Sequence, residues 1–456
     1  MRTYDIREFG AVAGENQNVA QAVAAAIEAA AKDNGAVSIP EGTWYTGPVT
    51  LVSGIPFRLE KGSRLVLIPQ EELYVPVYSR WEGVACWCMH PGLFISNAHD
   101  VVVTGEGILD GSGQAWWNRA GHKRDYQMGP ETLMEKKLAA LNVGYETQPG
   151  GGGGRQCQFL RPPLLQILNS TRITVEGITL TNSPFWTLHP VFSSQLTIRN
   201  VKISNPADAP NTDGIDIDSC EDVTIMDCVV DVGDDGIALK SGSGPDGIAI
   251  GRTTRNVKVS GCTVRSAHGG IVIGSETAAG ISGLVATDCL FDGTDRGIRI
   301  KTRRGRGGKM FDLHFERLTM QDNLCPFAIN MYYRCGATAA DTDLFDLAAR
   351  PVQDTTPSIG DILVKDCVAT GSRASAGFIV GLPETPVYGL RVENCSFGAD
   401  ASSTVSTDDS EMFLGIPHEE SRGIRLRNVQ GVFENVQVSG ASTDFIKEEG
   451  LQVEFR

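Results

Sequence analysis

Gly214-Ile215-Asp216-Ile217, Gly236-Ile237-Ala238-Leu239, Gly270-Ile271-Val272-Ile273 and Gly297-Ile298-Arg299-Ile300 are four versions of one short phrase. The phrase returns after roughly 20 to 35 residues, the range in which a fixed period means a solenoid. Around it, from about Leu164 to Val438, the chain reads as short runs of Val, Ile, Leu and Thr broken by Asn, Asp, Gly or Ser. No helical pattern lies between the runs, so they cannot be joined as βαβ units. Each return is then one coil of a parallel β-helix, with equivalent residues stacked about 4.8 Å apart. The expected fold is all-β, a single-stranded right-handed parallel β-helix forming one domain over residues 1–456.

A second series supports the coil reading. A Cys follows a strand at Ile225/Cys228, Val259/Cys262, Ala286/Cys289, Val364/Cys367 and Val392/Cys395, as expected for an internal ladder of small reduced thiols. Upstream, Asn18 to Lys32 is Ala-rich, lacks Gly and Pro, and predicts an amphipathic helix, followed by strands at Ala36-Ile39 and Thr50-Leu51. An open β-helix end exposes strand edges, so residues 1–50 read as a cap with this helix over it. The stretch 116–163 interrupts the repeat: it is charged, contains Gly150 to Gly154 and lacks strand periodicity. It reads as an inserted loop walling one end of a cleft, with the glycine run as a mobile hinge.

Hydrophobic content of 41% and charged content of 21% fit a soluble globular chain, and no apolar run approaches the ~18 residues of a membrane span. A net charge of -15 argues against a nucleic-acid partner, which would require clustered cations. The opening Met1-Arg2-Thr3-Tyr4-Asp5-Ile6-Arg7-Glu8 has no apolar signal-peptide core, and the 11 Cys make an odd set without zinc-type spacing beyond Cys86/Cys88. The expected setting is therefore cytoplasmic, with no cofactor and no metal. Oligomeric state is not legible.

The aligned Gly-Ile phrases also bring polar residues to one corner. Asp213 precedes Gly214, Asp234-Asp235 precede Gly236, His268 lies ahead of Gly269-Gly270, and Arg296 precedes Gly297. In Arg299-Ile300-Lys301 the two basic residues alternate with Ile and share an outward face. Their counterparts in the first of these coils are Asp216 and Asp218, so one ridge runs from acidic to basic. Clustered carboxylates raise at least one pKa of the set. Glycoside hydrolysis uses that division of labour between an acid and a carboxylate. Singly, an Asp before Gly is an ordinary turn former, a lone His a structural hydrogen-bonding residue, and an Arg/Lys pair a solvated strand face. A substrate bearing a carboxylate on every sugar would explain cations on an acidic protein.

Asn211-Thr212-Asp213, Gly233-Asp234-Asp235, His268-Gly269 and Arg299-Ile300-Lys301 stand in the order found in the polygalacturonases of glycoside hydrolase family 28, which this sequence resembles over most of its length. The stretch Ser183-Pro184-Phe185-Trp186-Thr187-Leu188-His189-Pro190 belongs to the likeness. The resemblance implies hydrolysis of α-1,4 bonds between galacturonic acid units of polygalacturonate or oligogalacturonides, with inversion. It implies Asp234 as general acid, Asp213 and Asp235 as activators of water, and His268 as support for the acid's protonation. Asn211, Arg299 and Lys301 would bind sugar. Tyr332, or its neighbour Tyr333, resembles the family's cleft tyrosine. Glu276, Trp186 and His189 join the substrate-binding candidates, the last two being either sugar platforms or core. The Gly274-Ser275-Glu276 run, the insertion before Arg161-Pro162 and the lack of a disulfide framework look closer to bacterial exo-acting members. A lyase on the same architecture would need a calcium cluster and a basic proton acceptor, and a non-enzymatic β-helix would have no use for three aspartates in register.

Overall fold

A computed structural model describes residues 1–456 except 127, 149–153 and 339, and except the side chains of 15 and 16. The chain divides into two compact units, Met1–Asp234 and Asp235–Arg456. Both are built of parallel β-helix coils, the all-β fold expected from the repeats.

In the first unit each coil carries three strands. Leu165–Leu168, Thr171–Glu176 and Thr179–Thr181 make one; Leu188–Val191, Ser194–Arg199 and Lys202–Ser204 make the next. Leu165 pairs in parallel with Leu188, and Leu188 with Ile215 of the strand Ile215–Asp218. The helix Ala20–Asp33 buries Ala22, Val23, Ala26, Ile27 and Ala30 on one face and stops at Asn34, whose left-handed backbone lets its N–H bond the Ala30 carbonyl. Strands Ala36–Ile39 and Val49–Leu51 follow.

The second unit continues the same pattern. Ile237 pairs with Ile271, Ile271 with Ile298, and Ile298 with Phe327. The glycines that open these strands are not turn residues. A Cβ on Gly236 would meet Val264 at 2.5 Å, on Gly270 the Phe291 ring at 2.4 Å, and on Gly297 the Met320 sulfur at 2.3 Å. Glycine recurs there because the third strand of the same coil fills the space a side chain would need. Asp and Asn make the turns. Asp227, Asp288, Asp366 and Asn394 have φ of 54, 57, 53 and 53°, and each precedes one of the repeated cysteines. That turn drops the following thiol inward, where Cys228, Cys262, Cys289, Cys367 and Cys395 each donate to the carbonyl two residues earlier at 3.2–3.4 Å. All eleven cysteines are unbridged, and all but Cys335 are buried.

The stretch 116–163 is not a plain loop. It holds most of the helix Gln114–Tyr126 and a second helix, Leu133–Leu141, started by a capping box between Thr132 and Glu135. The first helix is mainly polar, and the second, although apolar at Leu133, Met134, Leu138 and Leu141, spans only 9 residues, so neither shows a long periodic stripe. Their Trp116, Ala120 and Leu138 pack with Phe159, Leu160, Phe185, Trp186 and an antiparallel hairpin, Pro76–Trp81 with Val84–Met89. The expected glycine hinge falls largely at 150–153, outside the described residues. Among the described residues, no helix is long and apolar enough to cross a membrane.

Candidate active site

In the first unit the site is built on the turn before Ile215. Thr187 N–H donates to the Asp213 carbonyl at 2.9 Å and Leu188 N–H to that of Gly214 at 3.0 Å, so the neighbouring coil fixes this backbone. Asn205 Nδ2 holds the Thr212 carbonyl at 3.2 Å, and Thr212 Oγ1 donates to the Ala209 carbonyl at 3.0 Å. Asp213 is buried and Asp234 half-buried, and each offers a carboxylate oxygen within 4.8 Å of the other's. Asn211, at φ 54°, accepts from Arg161 Nη2 at 3.0 Å.

The remaining candidates of this unit are committed to packing. His189 is wholly buried, with Nδ1 3.0 Å from Gln166 Nε2 and Nε2 3.6 Å from Asp218. Trp186 lies in the apolar cluster, stacked on Phe185 and edge-on to His189. Both were open between sugar platform and core, and both are core. Asp216 and Asp218, expected on an outward ridge, are both fully buried, and Arg80 Nη1 of the hairpin strand Pro76–Trp81 donates to Asp218 at 2.9 Å.

In the second unit Asp235 is the centre of a buried ionic set. Lys301 Nζ donates to its Oδ2 at 2.6 Å, Arg299 Nη1 to its Oδ1 at 3.3 Å, and Lys240 stands 3.9 Å away. Arg299 spends its fork on Glu411, with Nε and Nη2 donating at 2.9 and 2.7 Å. The two-pronged grip expected for a sugar carboxylate is therefore taken by the protein itself. Burial opposes both charges of this pair, yet each partner overcomes it: Glu411 is held well below the usual carboxylate range by Arg299 and Arg296, and Arg299 well above its ordinary value by Glu411, Tyr333 and Asp235. Glu276 bonds Lys240 at 3.1 Å. Burial would raise its pKa, but Lys240, Arg306 and Lys301 bring it down to about 2.

Of the two tyrosines, Tyr333 lies with its ring 5.4 Å from Lys301 Nζ and 5.6 Å from the Arg299 guanidinium. Tyr332 packs against Arg304 and donates to the Asp346 carbonyl at 3.4 Å, so Tyr332 is corrected to Tyr333 as the residue beside the basic pair. Asp235 pairs with Gly269, which sets His268 one position ahead of that rung. The His268 side chain is 43% exposed, 3.9 Å from Asp295, and lines a cleft of about 420 Å³ with Arg296, Arg334, Asp408 and Glu411. Arg296 anchors the loop that delivers Glu411, donating to the Asp409 and Ser410 carbonyls at 2.8 and 3.0 Å.

Sequence reasoning missed Glu411, Lys240 and Arg80, and noticed Arg161 only as a marker of the insertion. Arg161 had one local signal, its place at the end of that insertion; Glu411 had none, being 112 residues from Arg299. As to metal, both Asp235 oxygens already accept from Arg299 and Lys301, which leaves Asp213 and Asp234 as an acidic pair rather than the roughly six-oxygen shell calcium takes.

The sequence profile of Glycosyl hydrolases family 28 matches residues 150–375, the segment holding all four motifs. The chain belongs to glycoside hydrolase family 28. It is 30% identical over 365 residues to a probable polygalacturonase of Vitis vinifera, covering 78% of this chain and 65% of that one. An exopolygalacturonase of Zea mays is 25% identical over 86% of this chain and 82% of its own length. The chain spans 65% and 61% of two plant relatives, the second being the probable polygalacturonase At3g15720 of Arabidopsis thaliana. Among solved structures, a hyperthermoactive exopolygalacturonase from Thermotoga maritima superposes with a TM-score of 0.78 at 28% identity, over 97% of this chain and 93% of that one. The family 28 exopolygalacturonase of Yersinia enterocolitica, at 18% identity and TM-score 0.74 over 100% of this chain and 77% of that one, shares the fold.

Proposed function

We propose that this family 28 chain hydrolyses α-1,4 bonds between galacturonic acid units, releasing sugar from the non-reducing ends of oligogalacturonides. The observation that carries the reading is the Asp213–Asp234 pair, with carboxylate oxygens within 4.8 Å and Asp235 next in the chain. Asp234, the more open of the pair, donates the proton to the leaving glycosidic oxygen. Asp213 and Asp235 accept the proton of the water that attacks the anomeric carbon. Lys301 orients Asp235 as an acceptor, and His268 supports reprotonation of Asp234 between turnovers. Asn211, Tyr333, Lys301 and Glu276 are assigned to sugar binding, while Arg299 acts through Asp235.

Inversion follows from the family, not from the spacing alone. Inverting carboxyl pairs usually stand roughly 6.5–9.5 Å apart, wider than the oxygen gap here, so the product anomer is the deciding measurement. Exo action is supported by the exopolygalacturonases among the relatives and by the helices and hairpin massed on the first unit beside Phe185. A cytoplasmic setting is supported by eleven unbridged thiols. The test is a time course on a defined oligogalacturonide, read by chromatography and by proton NMR of fresh product. Monomer from the first minutes, in the inverted anomer, is expected; mixed oligomers would end the exo assignment and a retained anomer the inverting one. Asp234→Asn is expected to remove about three orders of magnitude of kcat without unfolding the chain, and substantial activity in it would remove Asp234 from the acid role.

A further inference from the structure

Arg161 is 2% exposed and sits where the inserted segment rejoins the coils. Only one of its three guanidinium nitrogens is satisfied: Nη2 donates to the Pro210 carbonyl at 2.9 Å and to Asn211 Oδ1 at 3.0 Å. Nε and Nη1 are buried with no hydrogen-bond partner among the described residues. The guanidinium lies 5.2 Å from the centre of the Phe185 ring, and the Arg161 carbonyl accepts from Trp81 Nε1 at 3.0 Å. Burying a cation with so few partners is costly, and an apolar side chain would fill the same space more cheaply. A stability role therefore does not account for it.

What the charge does face is informative. Glu82, Asp213 and Asp234 act on it with opposite charge and Arg124 with like charge, and burial outweighs the acids, bringing its pKa down to about 10. The turn it holds contains Asn211 in the left-handed conformation, two residues before Asp213. We propose that Arg161 is a positioning residue for the acid pair: it clamps the Pro210–Asn211 turn from which Asp213 projects and sets a buried positive charge behind Asp213 and Asp234. This rests on the reading of those aspartates as the hydrolytic pair.

The clamp and the charge separate by substitution. Arg161→Met removes both, and Arg161→Lys keeps the charge but cannot span both acceptors while lying on Phe185. Kinetics on trigalacturonate across pH, with thermal unfolding and a crystal structure of each variant, test the proposal. In Arg161→Met, kcat is expected to fall about a hundredfold with KM within about threefold. The acid limb of its kcat/KM profile should move up by about one pH unit, since losing a cation makes carboxylates easier to protonate. Arg161→Lys should return the limb to its wild-type position with only partial recovery of kcat. Wild-type kcat and an unmoved limb in Arg161→Met would overturn the proposal. If that variant does not fold, full kcat in Arg161→Lys overturns the clamp. Should the wild type itself release no galacturonate, the functional reading fails separately, and the crystal structures still judge the clamp: a 209–213 turn unmoved in Arg161→Met refutes it.

Discussion

Arg161 in the first unit and Arg299 in the second are buried to the same degree, 2% and 1% exposed, and their environments treat them in opposite ways. Arg299 has every nitrogen engaged, two on Glu411 and one on Asp235, and is held well above its ordinary pKa. Arg161 has one nitrogen engaged and is pulled down to about 10. Burial alone therefore does not decide what a cation does; the acceptors within reach do. A fully forked guanidinium is a structural clamp whose field is spent locally, whereas an underpaired one still acts on the acids beside it.

The contrast fixes an order of stability effects. Glu411→Ala strands Arg299 in the interior and is expected to cost about 3–5 kcal/mol in urea unfolding, since it breaks a buried pair from one side. A loss below about 1 kcal/mol would mean that Arg299 finds other partners and that the two arginines differ less than their contacts suggest. Glu276, paired with Lys240, is the intermediate case. Its folded pKa of about 2 lies below the ordinary value of 4.5, so its contribution is fully present above pH 4.5 and is lost as pH falls towards 2. Glu276→Gln should lower stability at neutral pH by roughly 3 kcal/mol and flatten the dependence between those limits, as measured by unfolding at a series of pH values. Arg161→Met should change stability least, within about 1 kcal/mol of wild type, because lost hydrogen bonds and relieved desolvation offset each other. A destabilisation as large as that of Glu411→Ala would erase the distinction.

The fold was legible because a solenoid turns spatial neighbours into sequence neighbours at a steady interval, as the Gly-Ile phrases and repeated cysteines record. The physical reason for the glycines was not: Gly236, Gly270 and Gly297 look like turn residues on paper and are space-makers beneath Val264, Phe291 and Met320. The acidic motifs and Lys301 were legible for the same reason as the fold. Partners carried by loops were not, because Arg161 meets Asn211 across 50 residues and Arg299 meets Glu411 across 112, at no repeating interval. Tyr332 and Tyr333 differ only in which way a bend turns them, which composition does not encode. The inserted helices escaped because one is mainly polar and the other only 9 residues long, and both are held by a side cluster and by ion pairs such as Lys123 with Glu131 and Glu135.

The cysteine ladder has a practical corollary. Ten of the eleven sulfurs are shut inside the chain and Cys335 alone is partly open. A maleimide dye added to the native protein should thus attach at a single address, two residues beyond Tyr333 and beside Arg303 and Arg306, giving an optical reporter without engineering any residue.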